Sequence, residues 1–301
     1  MCSFIEGSWI APGDDAVALC DASTGDEAYS ISSSGVDFAG ALQYGRTVAN
    51  PALAQFTIHE RASILKELGK LLLSTDVKAE LYAISARTGA TDSDSWIDID
   101  GGASVLLTYS SKARRELPNS NVVVDGPTEQ LSADGSFVAT HILTPKRGVF
   151  VQINAFNFPI WGMLEKFAPA FIAGVPSIVK PASQTAYLTE AAVRIMVDSG
   201  LLPEGSLQLI CGSAGDLLDH LDGQDSVGFT GSASTAAMLR AHPNVISRSV
   251  PFVAEADSLN SAILSPSATP GTPEFDLFVR EVVREMTVKA CLLYTSPSPR
   301  D

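Results

Sequence analysis

The chain has 301 residues, 46% of them hydrophobic and 18% charged, with a mean hydropathy of +0.18. That is enough apolar material for one large core or two modest ones, and too little charge for long disordered stretches. Twenty Lys and Arg against 34 Asp and Glu leave a formal net charge of −14. Such a surface repels nucleic acid and anionic lipid, so neither is expected as a partner.

The N-terminus Met1-Cys2-Ser3-Phe4-Ile5-Glu6 lacks a basic segment followed by an apolar run and does not read as a signal peptide. The most apolar stretch, residues 149–179, is broken by Glu165, Lys166 and prolines, so it does not read as a membrane span. A cytoplasmic location is expected. Cys2, Cys20, Cys211 and Cys291 are scattered singly, and His59, His141, His220 and His242 show no ligand spacing. No metal site is expected.

Residues 1–35 are rich in Gly, Ser and Asp and read as short strands and turns. From Val36 the pattern becomes helical. Thr57-Ile58-His59-Glu60 fits a capping box, followed by Ile64, Leu65, Leu68, Leu71 and Leu72 on one helical face. Further helices are expected over 76–88 and 94–115. Leu117-Pro118-Asn119 ends that block. The β-prone runs 122–124 and 137–143 then suggest a protruding β-ribbon, with a plain surface loop as the alternative.

From Gly148 short apolar runs at 149–153, 177–179, 207–210, 227–229 and 250–253 alternate with helical patterns at 163–172, 186–198, 214–221 and 233–241. This alternation predicts parallel βαβ units in a three-layer, doubly wound α/β sheet with helices on both faces. Ligands of such sheets bind beyond the carboxyl ends of the strands. A Pro/Ser/Thr/Gly loop at 266–274 leads into an amphipathic helix at 274–290, with Phe275, Phe278, Val282 and Met286 on its apolar face. The last eleven residues, CLLYTSPSPRD at 291–301, look unrelated to what precedes them and resemble translated sequencing-adapter read-through.

Five short segments carry candidate chemistry. In Ile153-Asn154-Ala155-Phe156-Asn157-Phe158-Pro159 a strand-end amide could donate to a developing oxyanion, although such an Asn also serves as a turn former. Lys180, directly after a buried strand in Val179-Lys180-Pro181-Ala182-Ser183, could meet ribose or phosphate, or be solvated. In Phe229-Thr230-Gly231-Ser232-Ala233 a strand turns into a helix. Gly231 would let the backbone turn and Ser232 would cap a helix whose N-terminal N–H groups suit a pyrophosphate. The GxGxxG fingerprint is absent, so the common dinucleotide motif is not present. Gly212 and Gly215 close another strand–helix turn, for a cofactor's close approach or for the turn alone. Glu255, flanked by alanines, could sit in a low-dielectric crevice and accept a proton from water, or be an ordinary surface glutamate.

Taken in order, the Asn-Phe-Pro turn, Lys-Pro-Ala, Phe-Thr-Gly-Ser and a Glu after a strand resemble the aldehyde dehydrogenase superfamily from about residue 1 to Ala290. A narrower resemblance is carried by residues 153–159, 161–166, 211–221, 255–260 and 284–287. It is to the semialdehyde dehydrogenase part of the bifunctional phenylacetate-degradation proteins, with the benzoyl-CoA-pathway semialdehyde dehydrogenases as a near alternative. Both imply oxidation of a CoA-linked semialdehyde to a carboxylate with NADP or NAD, by a homo-oligomer.

The resemblance implies residue roles. Asn157 would be the oxyanion-hole donor and Glu255 the activator of the hydrolytic water. Lys180 would hold the adenosine ribose and Ser232 the pyrophosphate, with Ile153, Asn154, Gly212, Gly215 and Gly231 lining the cofactor. Ser183 stands where many NAD-preferring relatives carry Glu. A serine there removes repulsion of a 2′-phosphate, so NADP is favoured. The implied organisation is a cofactor domain over 1–118 and 147–256, an oligomerisation ribbon over 119–146 and the start of a catalytic domain over 257–290. The family's nucleophilic cysteine is implied at position 294, which is Tyr294 here. Cys291 is three residues early, a displacement of several ångströms. The chain is therefore expected to be truncated and inactive in aldehyde oxidation, with a non-catalytic nucleotide-binding module or pseudoenzyme as the alternative reading.

Overall fold

A computed structural model describes residues 1–257 and 261–287. The N-terminal part contains four short strands, β1 (Ser3–Ile5), β2 (Ser8–Ile10), β3 (Val17–Cys20) and β4 (Glu27–Ile31). A helical layer follows: α1 (Phe38–Tyr44), α2 (Asn50–Ala54), α3 (Ile58–Leu72), α4 (Thr75–Ala86), α5 (Asp92–Ser95) and α6 (Gly101–Glu116). The expected capping box is present at the start of α3. Thr57 Oγ1 accepts from Glu60 N (3.3 Å) while Glu60 Oε2 accepts from Thr57 N (2.7 Å). The single helix expected over 94–115 is instead α5 and α6 joined through a π-helical turn at Trp96–Asp100.

The ribbon is β5 (Val123–Gln130) and β6 (Val138–Leu143), an antiparallel pair forming a sheet of its own. Its Val124, Phe137, Ile142 and Leu143 are exposed. Beyond it come β7 (Phe150–Ile153), α7 (Trp161–Ile172), β8 (Ser177–Lys180), α8 (Ala186–Asp198), β9 (Leu207–Leu209), β10 (Ser226–Gly231), α9 (Ala233–Arg240), α10 (Pro243–Ser247), β11 (Phe252–Ala256) and α11 (Pro273–Thr287). The helix expected over 214–221 is reduced to a 3-10 turn at Leu217–His220. Gly212 and Gly215 leave too few helix-forming residues before Asp222 for a longer run.

The main sheet has the order β11-β10-β7-β8-β9-β1-β2. β7 to β11 are parallel, and β1 and β2 close one side antiparallel. Successive strand residues point to opposite faces, and both faces are covered. On one face Val179, Leu207 and Leu209 pack with Leu65 and Leu68 of α3, and with Phe167 and Phe171 of α7. On the other, Val151, Ile178 and Val227 pack with Leu42 of α1, and with Leu217 and Val245. This is the three-layer, Rossmann-like α/β architecture expected from the alternation of elements.

Buried polar groups tie the layers together. Arg61 of α3, buried by apolar neighbours, donates to the carbonyls of Ile172 (3.0 Å) and Leu53 (3.2 Å) and to Asn121 Oδ1 (2.8 Å). Burial lowers its pKa. Asp225, wholly buried ahead of β10, accepts from Val149 N (2.8 Å) and Asp222 N (2.7 Å) and pairs with Arg46. In α11, Phe275, Phe278 and Val282 are half-buried and Met286 is exposed, so the expected apolar face is largely uncovered by described residues.

Candidate functional site

The strand order makes one place special. The chain runs from β7 outward through β8 to β9, then crosses back so that β10 lies on β7's other side. Crossovers leave in opposite directions from this point, which opens a crevice at the carboxyl ends of β7 and β10. Registers bring the candidates to that end. Ile153 pairs with Lys180 on one side and Phe229 on the other, and Thr230 pairs with Glu255.

Asn154 follows β7, and its N–H donates to Lys180 O (3.0 Å). Its side chain is 5% exposed, and neither Nδ2 nor Oδ1 has a hydrogen-bond partner. Thr230, one residue past Phe229 on the neighbouring strand, likewise has a buried Oγ1 without a partner. Unmet buried polar atoms are costly and uncommon. Two of them at the ends of adjacent strands in the switch-point crevice suit a polar ligand.

Lys180 closes β8 and is largely buried. Burial pushes its pKa below the ordinary lysine value, and nearby Cys211 opposes that shift. Cys211 lies deeper, and burial pushes its thiol up to about 12. Ser183 begins a 3-10 turn, Ser183–Thr185, just beyond Lys180 and is half-buried.

Asn157 lies in the loop between β7 and α7. The loop is pinned from beneath: Thr185 Oγ1 donates to Phe156 O (3.0 Å), and Thr189 Oγ1 donates to Pro159 O (3.1 Å). Asp98, wholly buried in the π-helical turn, accepts from Trp161 N (2.9 Å) and Ile160 N (3.2 Å). Gly102 of α6 leaves room for this approach, since a Cβ there would stand 2.9 Å from Trp161 Cα.

On the far side of the crevice Ser232 caps α9, its Oγ accepting from Thr235 N (3.3 Å). Gly231 does not provide the expected turn. It remains the last residue of β10, paired with Ala256, and its missing Cβ makes room for the Phe229 ring, which a Cβ would approach to 2.5 Å. Gly212 (φ +135°) and Gly215 (φ +48°) admit neighbours from their own chain. A Cβ on Gly212 would lie 2.5 Å from Ser33 N, and one on Gly215 would lie 2.4 Å from the Phe38 ring. Both positions are thereby explained by packing and turning.

Of the two environments expected for Glu255, the structure shows the exposed one. It is exposed on β11, the edge strand, so the desolvating crevice inferred from its alanine neighbours is absent. It lines a cavity of about 460 Å³ with Tyr109, Phe150, Lys166, Gly228 and Val253. Inside that cavity Glu165 accepts from Lys166 Nζ (3.1 Å) and from Trp161 Nε1 (3.0 Å). Sequence reading missed Lys166, Thr230 and Asp98 as site residues. A Glu-Lys pair in the apolar helix Trp161–Ile172 was an available signal, whereas nothing local marked Asp98.

Among the described residues no group of three His, Cys, Asp or Glu side chains could hold a metal ion, and no helix is long and apolar enough to cross a membrane. Positions 291 and 294 lie outside the described residues.

Comparison with known proteins accords with this geometry. The model of the aldehyde dehydrogenase family matches residues 9–289. A 3,4-dehydroadipyl-CoA semialdehyde dehydrogenase from Aromatoleum evansii is 46% identical over 290 residues, covering 96% of this chain and 56% of the relative. Among solved structures, an NADP-dependent enzyme of E. coli superposes with a TM-score of 0.77 at 21% identity, covering 96% of this chain and 57% of that one. A betaine aldehyde dehydrogenase from Staphylococcus aureus in complex with NAD+ gives a TM-score of 0.75 at 18% identity, covering 95% and 55%. These structural likenesses show the fold. The chain thus spans little more than half the length of the relatives it matches. With the family model matching almost the whole chain and the fold shared, this chain belongs to the aldehyde dehydrogenase family.

Proposed function

We propose that the chain binds NADP+, and NAD+ less tightly, at the carboxyl ends of β7, β8 and β10. The observation that carries this reading is the set of buried, unpartnered polar atoms on Asn154 and Thr230 at the switch point, beside the largely buried Lys180. Lys180 would hold the adenosine ribose, Ser232 and the α9 N-terminus the pyrophosphate, and Ile153 and Asn154 the inner part of the dinucleotide. Gly212 and Gly215 would shape the wall behind it. When bound, the dinucleotide supplies a hydride acceptor.

For the whole protein we read oxidation of a CoA-linked semialdehyde to a carboxylate in the degradation of aromatic compounds such as phenylacetate. The name of the Aromatoleum relative supports the CoA-linked substrate class. Asn157, on its pinned loop, would donate to the oxyanion, and Glu255 would take the proton of the hydrolytic water. Tyr294 stands where the family resemblance places the thiol, and a phenol is a poor substitute for a thiolate nucleophile. This chain is accordingly expected to bind dinucleotide without oxidising aldehyde. The organisation we favour is a cofactor domain over 1–118 and 147–256, a homo-oligomerisation ribbon over 119–146 and the start of a catalytic domain after 256. A cytoplasmic location is proposed with it.

Calorimetric titration with NADP+ and NAD+ tests the reading. Saturable binding with NADP+ tighter is expected, and NAD+ binding tenfold tighter than NADP+ would overturn the preference. Ser183→Glu should reverse the order, weakening NADP+ by about tenfold through repulsion of the 2′-phosphate.

A further inference from the structure

The turn after β11 places a carboxylate on the helix that this reading assigns to the pyrophosphate. Asp257 Oδ1 accepts from Ala233 N, the first backbone N–H of α9, at 3.1 Å. The Asp257 N–H donates to Gly231 O at 3.3 Å, so the residue is held at both its backbone and its side chain. Its φ of +55° is the left-handed region, which Asp enters more readily than most residues but still at a cost. The helix is already capped by Ser232 through Thr235 N, so Asp257 is not needed to provide an N-cap. It adds a full negative charge at the positive end of the helix. The unpartnered Asn154 and Thr230 side chains at the adjoining strand ends independently point to a ligand in the same crevice.

We propose that Asp257 is an affinity-setting residue, an internal anion that competes with the dinucleotide's pyrophosphate for the N-terminus of α9. The inference rests on the cofactor reading above and adds to it a residue that opposes binding. Without ligand, the carboxylate satisfies Ala233 N and holds the β11 turn against β10. A pyrophosphate approaching the same N–H meets like charge and must displace that contact. The exposed position of Asp257 allows its side chain to swing away without unpacking the core. The chain would then hold its cofactor more weakly than the donors in the crevice allow, which favours exchange of the dinucleotide.

Titration of the full chain with NADP+ and with 2′-AMP, for the wild type, Asp257→Asn and Asp257→Gly, tests the proposal. Asn keeps size and left-handed tolerance but removes charge, and Gly removes the side chain and the backbone strain. Both variants should bind NADP+ about fivefold more tightly, roughly one charge–charge contact in water. The gain should shrink at about 0.5 M salt. Binding of 2′-AMP, which has no pyrophosphate, should not change. Unchanged or weaker NADP+ binding in both variants overturns the proposal, as does an equal gain for 2′-AMP. If Asp257→Gly fails to fold, Asp257→Asn decides. If none of the three proteins binds NADP+, the cofactor reading falls and takes the proposal with it. Binding by all three with equal affinity removes only the role of Asp257.

Discussion

The two sides of the crevice are built differently. On the β7–β8 side, Asn154 is buried and Lys180 largely so, and the Asn157 loop is pinned by Asp98, Thr185 and Thr189. On the β10–β11 side, Ser232, Glu255 and Asp257 are exposed. The first group is placed by the folding core itself, since each residue sits on or beside a strand covered on both faces. The second lies at or beside the sheet edge, where described residues cover β11 only in part and leave these three side chains exposed. Interior positions are fixed when the protein folds, whereas edge positions take their environment from whatever binds there.

The largest expected effect that tests this contrast is on Asp98. Asp98→Ala leaves the Ile160 and Trp161 N–H groups without their acceptor inside the protein. Urea unfolding should show a loss of about 3 kcal/mol, with Asp98→Asn recovering part of it. A loss below about 1 kcal/mol would mean that the loop is held by other contacts.

Lys180→Met should act in the opposite direction. Removing a largely desolvated ammonium should raise stability by about 1 kcal/mol and, on the proposed cofactor reading, weaken NADP+ binding. The pH dependence supplies a sharper check. Burial lowers the folded-state pKa of Lys180, so in the window between that value and the unfolded value near ~10.4 the unfolded chain binds more protons. Stability from this group therefore rises with pH across the window, and its cost is constant below it. The variant should lack that rise, and identical alkaline profiles for the two proteins would count against a desolvated Lys180.

The smallest effect is expected at the exposed edge. Glu255→Gln should change stability by no more than about 0.5 kcal/mol. A larger loss, measured by the same urea titration, would show that Glu255 anchors β11 and would erase the contrast between the two sides.

Much of this arrangement was legible in the chain. Alternation of apolar runs with 3.6-residue periodicity determines the parallel sheet and its covering helices, because both are local consequences of burying one face of each element. Thr57 and Glu60 mark their helix start for the same reason, since the capping box is closed within four residues. Lys180 and Ser232 were visible because strand ends and helix caps have local signatures. Tertiary structure alone decided that Glu255 is exposed, that Gly231 stays in its strand, and that Gly212 and Gly215 admit Ser33 and Phe38. It also brought Asp98 to Trp161 across 63 positions and Asp257 to Ala233 across 24. Strand order, edge position and the meeting of distant backbone groups depend on how the crossovers stack, and no local pattern of residues encodes that stacking.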